Sequence, residues 1–211
     1  MAPERSYRWL FWSLVVAGLL LDQSSKYYVF HWLYNETGSG QCDVVPGAFK
    51  LLAQFTGERE EAVGLMSRLR TVSAPMLPRV NQGALFGIKL GLGHDDVWFA
   101  NLVFAIVSVV AAAAITTWST RRATARDGLL CAALGLILGG TLGNLYDRLV
   151  FHGVRDFLYF HWIEWPVFNV ADCCLVCGAF CLLAQAFLTR PAGDATPRAE
   201  VALATAPAEA R

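Results

Sequence analysis

Four stretches of this chain are each apolar for about the length of a bilayer crossing: Trp9–Phe30, Trp98–Trp118, Gly128–Leu149 and Pro166–Leu188. A hydrocarbon core about 30 Å thick takes roughly 20 mostly apolar residues in a helix, because lipid offers the backbone no hydrogen-bond partner outside the helix itself. The pattern therefore predicts four transmembrane helices. Composition agrees, with 55% of residues apolar and only 16% charged, against about 25% charged in soluble domains. Arg5 and Arg8 ahead of the first stretch could open a secretory signal. No small-x-small cleavage site closes the run, however, and Tyr27, Tyr28, Phe30 and Trp32 form an aromatic girdle at its far end, so it reads as an uncleaved span.

Four spans return both termini to one side, and the basic residues say which. Arg5 and Arg8 precede the first span, Arg121, Arg122 and Arg126 lie in the second connection, and Arg190 follows the last. Positive charge marks these segments as cytoplasmic, so residues 35–97 and 151–165 face outward. The fold class expected is an all-α membrane bundle of four transmembrane helices with a small β-rich platform on the outer face, at about 36–97. In it, Val44–Phe55 and Arg79–Phe86 read as strands, Glu58–Arg70 as a surface helix, and Asp95 or Asp96 as a cap for the second span. Residues 1–190 form one membrane domain, and the Ala- and Pro-rich tail 191–211 is expected to be disordered. Seventeen Lys and Arg balance seventeen Asp and Glu, so no positive field marks a nucleic-acid partner.

Charge inside hydrocarbon costs a few kcal/mol, which makes ionisable residues within spans functional or paired by default. Asp22 and Lys26 stand four apart on one helix face, as a structural ion pair or as a substrate contact. On the third span Gly135, Gly139 and Gly143 lead into Asp147, while Gly140, Asn144 and Arg148 form the adjacent stripe. Close helix packing accounts for the glycines. Asn144 and Arg148 need polar partners, and an Arg can hold a carboxylate or backbone carbonyls in its fork. Asn169 and Asp172 share a face at the start of the fourth span. Asp156 lies in a connection so short that it stays near that span's mouth.

Topology alone thus gathers Asp22, Lys26, Asn144, Asp147, Arg148, Asp156, Asn169 and Asp172 at one membrane surface, beneath Asn81 of the platform. Two carboxylates in a poorly solvated pocket share a proton, leaving one as base toward water and the other as acid toward a carbonyl. A proton-coupled transporter or channel subunit would use intramembrane carboxylates too, but along a path through the bilayer, whereas the inner halves of these spans carry almost none. A structural scaffold needs no such cluster. Five of the six cysteines lie in apolar stretches, and the row Cys173, Cys177, Cys181 reads as small apolar filler, as the four histidines read as interface residues. No metal site or cofactor is expected.

Five strings carry a resemblance: Asp22-Gln-Ser-Ser-Lys26, Asn81-Gln-Gly-Ala-Leu-Phe86, Gly140-Thr-Leu-Gly-Asn144-Leu-Tyr-Asp147-Arg148, Val154-Arg-Asp156-Phe157 and Phe168-Asn169-Val-Ala-Asp172. In this order and at these stations the chain resembles the lipoprotein signal peptidases, or signal peptidase II, from about Trp9 to Leu188. The resemblance implies a bacterial inner-membrane aspartic endopeptidase with a periplasmic platform. Its substrates are prolipoproteins whose Cys carries a diacylglyceryl group, cut N-terminal to that Cys. It implies Asp156 and Asp172 as the catalytic pair and Asp147 as support. Asn144, Arg148 and Asn169 would position pair and substrate, Asp22 and Lys26 would brace the site, and Asn81 with Gly83 would hold the peptide, with Gly140 beside it. The partners expected are these precursors and membrane lipids, with the enzyme a monomer. The outer segment between Phe55 and Arg79 is longer than the compact platform usual in that family.

Overall fold

The structure, a computed structural model, describes residues 6–82 and 94–188, and the side chains within the latter from Trp98 onward. Gly83, the predicted strand beyond Gln82, the Asp95 or Asp96 cap and the tail lie outside the described residues. The chain opens with α1 (Arg8–Trp32), prolonged by a π turn (Leu33–Thr37) and stopped at Gly38, whose φ of +61° needs no Cβ. The platform follows, with β1 (Gln41–Val45), β2 (Phe49–Leu52), β3 (Phe55–Arg59), α2 (Leu65–Thr71) and β4 (Met76–Pro78). The remaining helices are α3 (His94–Ser119), a short α4 (Arg122–Arg126), α5 (Gly128–Val150) and α6 (Val170–Leu188), with β5 (Leu158–Phe160) between the last two.

Among the described residues, three helices are long and apolar enough to cross a membrane: α3 from Trp98, α5 and α6. The first helix has the length, but Asp22-Gln23-Ser24-Ser25-Lys26 lowers the hydropathy of its second half. Its charged residues Asp22 and Lys26 turn inward, while Val16, Leu20 and Leu21 stay exposed, as do Ile106 and Val110 of α3 and Phe180 and Leu183 of α6. Among the described residues these faces meet no protein partner, and they suit lipid.

At the centre, α5 packs against α1, α3 and α6. Its two bare stripes explain the position. A Cβ on Gly135 would lie 2.7 Å from the Phe11 carbonyl oxygen, and one on Gly139 3.1 Å from that of Val15, so α1 rests on the α5 backbone. The stripe beginning at Gly140 meets the Ala171 carbonyl of α6, and Gly178 returns the approach, where a Cβ would lie 2.9 Å from Ala133 O. Phe11, Val15, Cys131, Leu134 and Leu138 fill the α1–α5 seam. At this end Tyr7 N–H donates to Ala125 O at 2.7 Å, and Asp127 caps α5 through Leu130 N while accepting from Gln185 of α6.

The opposite end carries the platform, where local pairing overrides two expectations. Val44–Phe55 is not one strand: Pro46-Gly47 turns it back, with Gly47 at φ +78° and Ala48 N–H bonded to Val45 O, so β1 and β2 form a hairpin. The predicted helix Glu58–Arg70 begins only at Leu65, because its first residues pair with β4 (Arg59 opposite Met76), and Ser67 accepts from Gly64 N–H to start the helix. The connection after α5 is stitched into the same platform. β5 pairs antiparallel with β2, and Phe168 bridges back to Leu158, which delays α6 from the expected Pro166 to Val170. Beneath lies a second core of Val29, Phe30, Leu33, Ala53 and Phe157.

Candidate active site

Two layers of polar side chains meet where α1, α5 and α6 converge under the platform. In the lower layer, Lys26 Nζ lies 2.8 Å from Asp22 Oδ2 and 3.3 Å from Asp147 Oδ2, all three side chains fully buried. A second cation completes it. Arg155 reaches Asp147 with its backbone N–H (2.8 Å), Nε (3.3 Å) and Nη2 (2.8 Å), and Nη2 also donates to Gln23 Oε1 at 2.9 Å. The guanidinium lies against the rings of both Tyr27 and Phe151, its Cζ 4.3 and 3.9 Å from their centroids. Gln23 spends its amide on Asp22, Gly143 O and Asp147. Two buried carboxylates thus face two buried cations, the condition under which such charges are tolerable.

The lower layer holds the upper one in place. Asp22 Oδ1 accepts from Ala171 N–H at 2.9 Å, tying α1 to the first turn of α6, and Lys26 donates to Asn144 Oδ1 at 3.2 Å. Asn144 passes the constraint on: its Nδ2 donates to Asp172 Oδ1 at 2.9 Å, and its Oδ1 also accepts from Asn169 Nδ2 at 3.1 Å. Asn169 and Asp172 form a reciprocal capping box. Asn169 Oδ1 takes Asp172 N–H at 3.0 Å, and Asp172 Oδ2 takes Asn169 N–H at 3.2 Å. The same Asn169 Nδ2 donates to Asp156 Oδ1 at 2.7 Å, so one residue links both acids, Asp156 through its side chain and Asp172 through its backbone N–H. Asp156 Oδ2 accepts from Asn81 Nδ2 at 3.1 Å.

Backbone pairing aims Asp156. Val154 exchanges two hydrogen bonds with Asn81 (2.7 and 2.8 Å), and Phe157 O accepts from Leu52 N–H while its N–H donates to Phe168 O. The acid therefore projects from a short segment clamped on both sides. Burial, and next the charge of Asp172, push the Asp156 carboxyl up to about 6, against which the Asn81 and Asn169 hydrogen bonds pull down. Asp172 sits in the first turn of α6, where the helix macrodipole favours negative charge.

Of the residues singled out from sequence, Asp22, Lys26, Asn81, Asn144, Asp147, Asp156, Asn169 and Asp172 thus form one hydrogen-bonded network. Asp22 and Lys26 are an enclosed ion pair. Gly140 lies against α6 at Ala171, behind the network. Arg148 stands to one side: its Nη1 donates to the Asn144 carbonyl at 3.3 Å and its guanidinium lies 5.3 Å from the Phe104 ring of α3, with Asp156 and Asp172 within electrostatic reach. Asn101 of α3 donates to Arg148 O. Sequence reasoning passed over Gln23, Arg155 and Asn101. A count of buried charge could have found Arg155, since Asp22 and Asp147 exceed what Lys26 alone can neutralise.

Apolar helices long enough to cross a membrane, gathered into one bundle, define a multi-pass membrane protein, and its polar network lies at one end of that bundle. The family model for signal peptidase (SPase) II matches residues 14–188, and the chain belongs to that family. The lipoprotein signal peptidase of Rhodopirellula baltica is 36% identical over 200 residues, covering 88% of this chain and 74% of that protein. The lipoprotein signal peptidase of Cellvibrio japonicus is 32% identical over 196 residues, covering 89% and 92%. A solved bacterial membrane enzyme shares the fold, with a TM-score of 0.62 at 19% identity, over 88% of this chain and 92% of that one.

Proposed function

We propose that this protein is an aspartic endopeptidase of the bacterial inner membrane that removes signal peptides from diacylglyceryl-modified prolipoproteins, cutting N-terminal to the lipidated Cys. Asp156 and Asp172 are its catalytic pair. The observation that carries this reading is Asn169, whose side chain and backbone amides bond one acid each. Asp156, pushed up to about 6, holds the shared proton, and Asp172 takes a proton from water. The water oxygen attacks the scissile carbonyl as Asp156 protonates the carbonyl oxygen. The tetrahedral diol then collapses, the proton gained by Asp172 passes to the departing Cys nitrogen, and the diol returns a proton to Asp156. Two carboxylates and water complete the cycle without a metal or a covalent intermediate.

Four spans are part of the reading, with α1 crossing beside α5 and its charges turned inward. The pairing of Tyr7 with Ala125, and of Asp127 with Gln185, supports both termini lying on one side. We place them in the cytoplasm, with the site and the platform of about 36–97 at the outer leaflet. Residues 1–190 act as one domain, as a monomer, and 191–211 as a tail. Asn81, Gly83 and Arg148 would meet the substrate, and Asp22, Lys26, Asp147, Asn144 and Gly140 support the pair. Family membership and the gathering of Asp22, Asp147, Asp156 and Asp172 at one end of the bundle both speak against the transporter alternative.

The test is to incubate purified protein with a diacylglyceryl-modified precursor and follow the size shift. Asp156→Asn and Asp172→Asn keep side-chain volume but remove the acid or the base, so each is expected to lower turnover at least about 100-fold while the precursor still binds. Cleavage at the wild-type rate by both variants would refute the pair.

A further inference from the structure

Segment 61–72 exposes side chains that the peptidase reading leaves unused. Val63 is 81% exposed, Leu65 71%, Met66 52% and Val72 59%. All four belong to, or flank, the short helix α2. The position of that helix is fixed by its other side. Leu69 O accepts from the Tyr27 hydroxyl at 3.1 Å, Ser73 Oγ donates to Tyr27 O at 3.0 Å, and Ser73 O lies 3.1 Å from His31 Nδ1. Arg70, paired with Glu60 at 2.5 Å, reaches Val150 O at the end of α5. The segment therefore lies against the last turns of both α1 and α5, at one level along the bundle.

That level is the edge of the hydrocarbon. Counted from Trp9, roughly 20 helical residues cross a core about 30 Å thick, which brings α1 to Tyr28. Tyr28 is itself exposed, one residue from the Tyr27 that holds α2, and Tyr27 meets Tyr146 of α5 at 2.8 Å. The apolar side chains of 63–72 thus lie beside α1 at the depth where tyrosines mark a membrane interface. Arg68, also exposed, stands among them with a side chain long enough to reach headgroups.

From this we infer that α2 and its flanks are a lipid-facing element: Val63, Leu65, Met66 and Val72 immerse in the outer leaflet beside α1. The inference rests on the membrane placement proposed above but not on the chemistry of the site. A bilayer fits better than a protein partner. Four aliphatic side chains fall well short of the about 20–30 residues a side of a stable protein interface, whereas lipid demands only apolar surface and depth.

The experiment uses the full chain in nanodiscs of phosphatidylethanolamine and phosphatidylglycerol, with photoreactive benzoylphenylalanine in place of Met66, Tyr28 or Glu36, one at a time. Glu36 is exposed two helical turns beyond Tyr28. After irradiation, intact mass is expected to show lipid adducts at 66 as abundant as at 28 and about tenfold more than at 36, as immersion predicts. Lipid adducts at 28 with none above the position-36 level at 66 would overturn the inference, as would a cross-linked second copy or a cross-linked precursor in their place. Absence of lipid at 28 would overturn the membrane placement of α1 and this inference with it.

Discussion

Arg155 and Asp156 are neighbours in the chain, yet they serve opposite layers of the site: Arg155 drives its guanidinium down onto Asp147, while Asp156 turns up to Asn169 and Asn81. Alternation along an extended segment produces this split, because successive side chains leave opposite faces of the backbone. A buried cation thus anchors the strand that presents one acid of the proposed pair.

Removing that anchor leaves two buried carboxylates facing Lys26 alone. Arg155→Met is expected to lower stability by about 3–5 kcal/mol, as breaking one side of a buried ion pair does. Arg155→Lys should recover only part, since an ammonium can neither fork onto Asp147 nor stack on Tyr27 and Phe151. Unfolding midpoints of the three proteins in detergent micelles would check the order.

Asn169 has two duties that a short hydroxyl can separate. Asn169→Ala loses the helix cap, at a cost of about 0.5–2 kcal/mol, as well as the donor to Asp156. Asn169→Ser can still cap α6 but does not reach Asp156. Its unfolding midpoint should approach that of the wild type while its turnover stays as low as that of the alanine variant. Equal turnover for serine and wild type would show that the link between the acids is dispensable.

Asp156 keeps its proton below about pH 6 and loses it above, because burial and the neighbouring Asp172 raise it from the ordinary carboxylate range. In the proposed mechanism the singly protonated pair is the active form, so kcat/KM is expected to fall as pH rises through about 6. Asn81 donates to Asp156 and holds that value down. Asn81→Ala should therefore move the descending limb to higher pH, whatever it does to the overall rate. A limb that moves downward would contradict the arrangement.

Gly143 has no room for a methyl group, since a Cβ there would lie 2.6 Å from Asp22 Oδ2. Gly143→Ala is expected to displace Asp22 from Ala171 N–H and to cost about 1–3 kcal/mol, as overpacking of a close contact does. Gly47 has open space around it and should instead be limited by its φ of +78°. Thermal unfolding of Gly143→Ala, with turnover measured on the folded fraction, would separate lost stability from a misplaced carboxylate.

What the sequence determined by itself was the set of long helices and most of the polar cluster, without Gln23 and Arg155. Apolar length gave α1, α3, α5 and α6 to within a few residues, because a helix matched to a bilayer has a set length and periodicity. Helical spacing placed Asp22 with Lys26, and Asn169 with Asp172, since each pair lies within one turn. The tertiary structure decided the partners. Nothing local distinguishes Arg155, which pairs inward across eight residues, from Arg148, which turns toward Phe104. The choice depends on where the clamp between Val154 and Asn81 aims the chain. The platform likewise followed its long-range pairings, with Arg59 opposite Met76 and β5 on β2, because a strand is stabilised by a neighbour distant in sequence whereas a helix is bonded within itself.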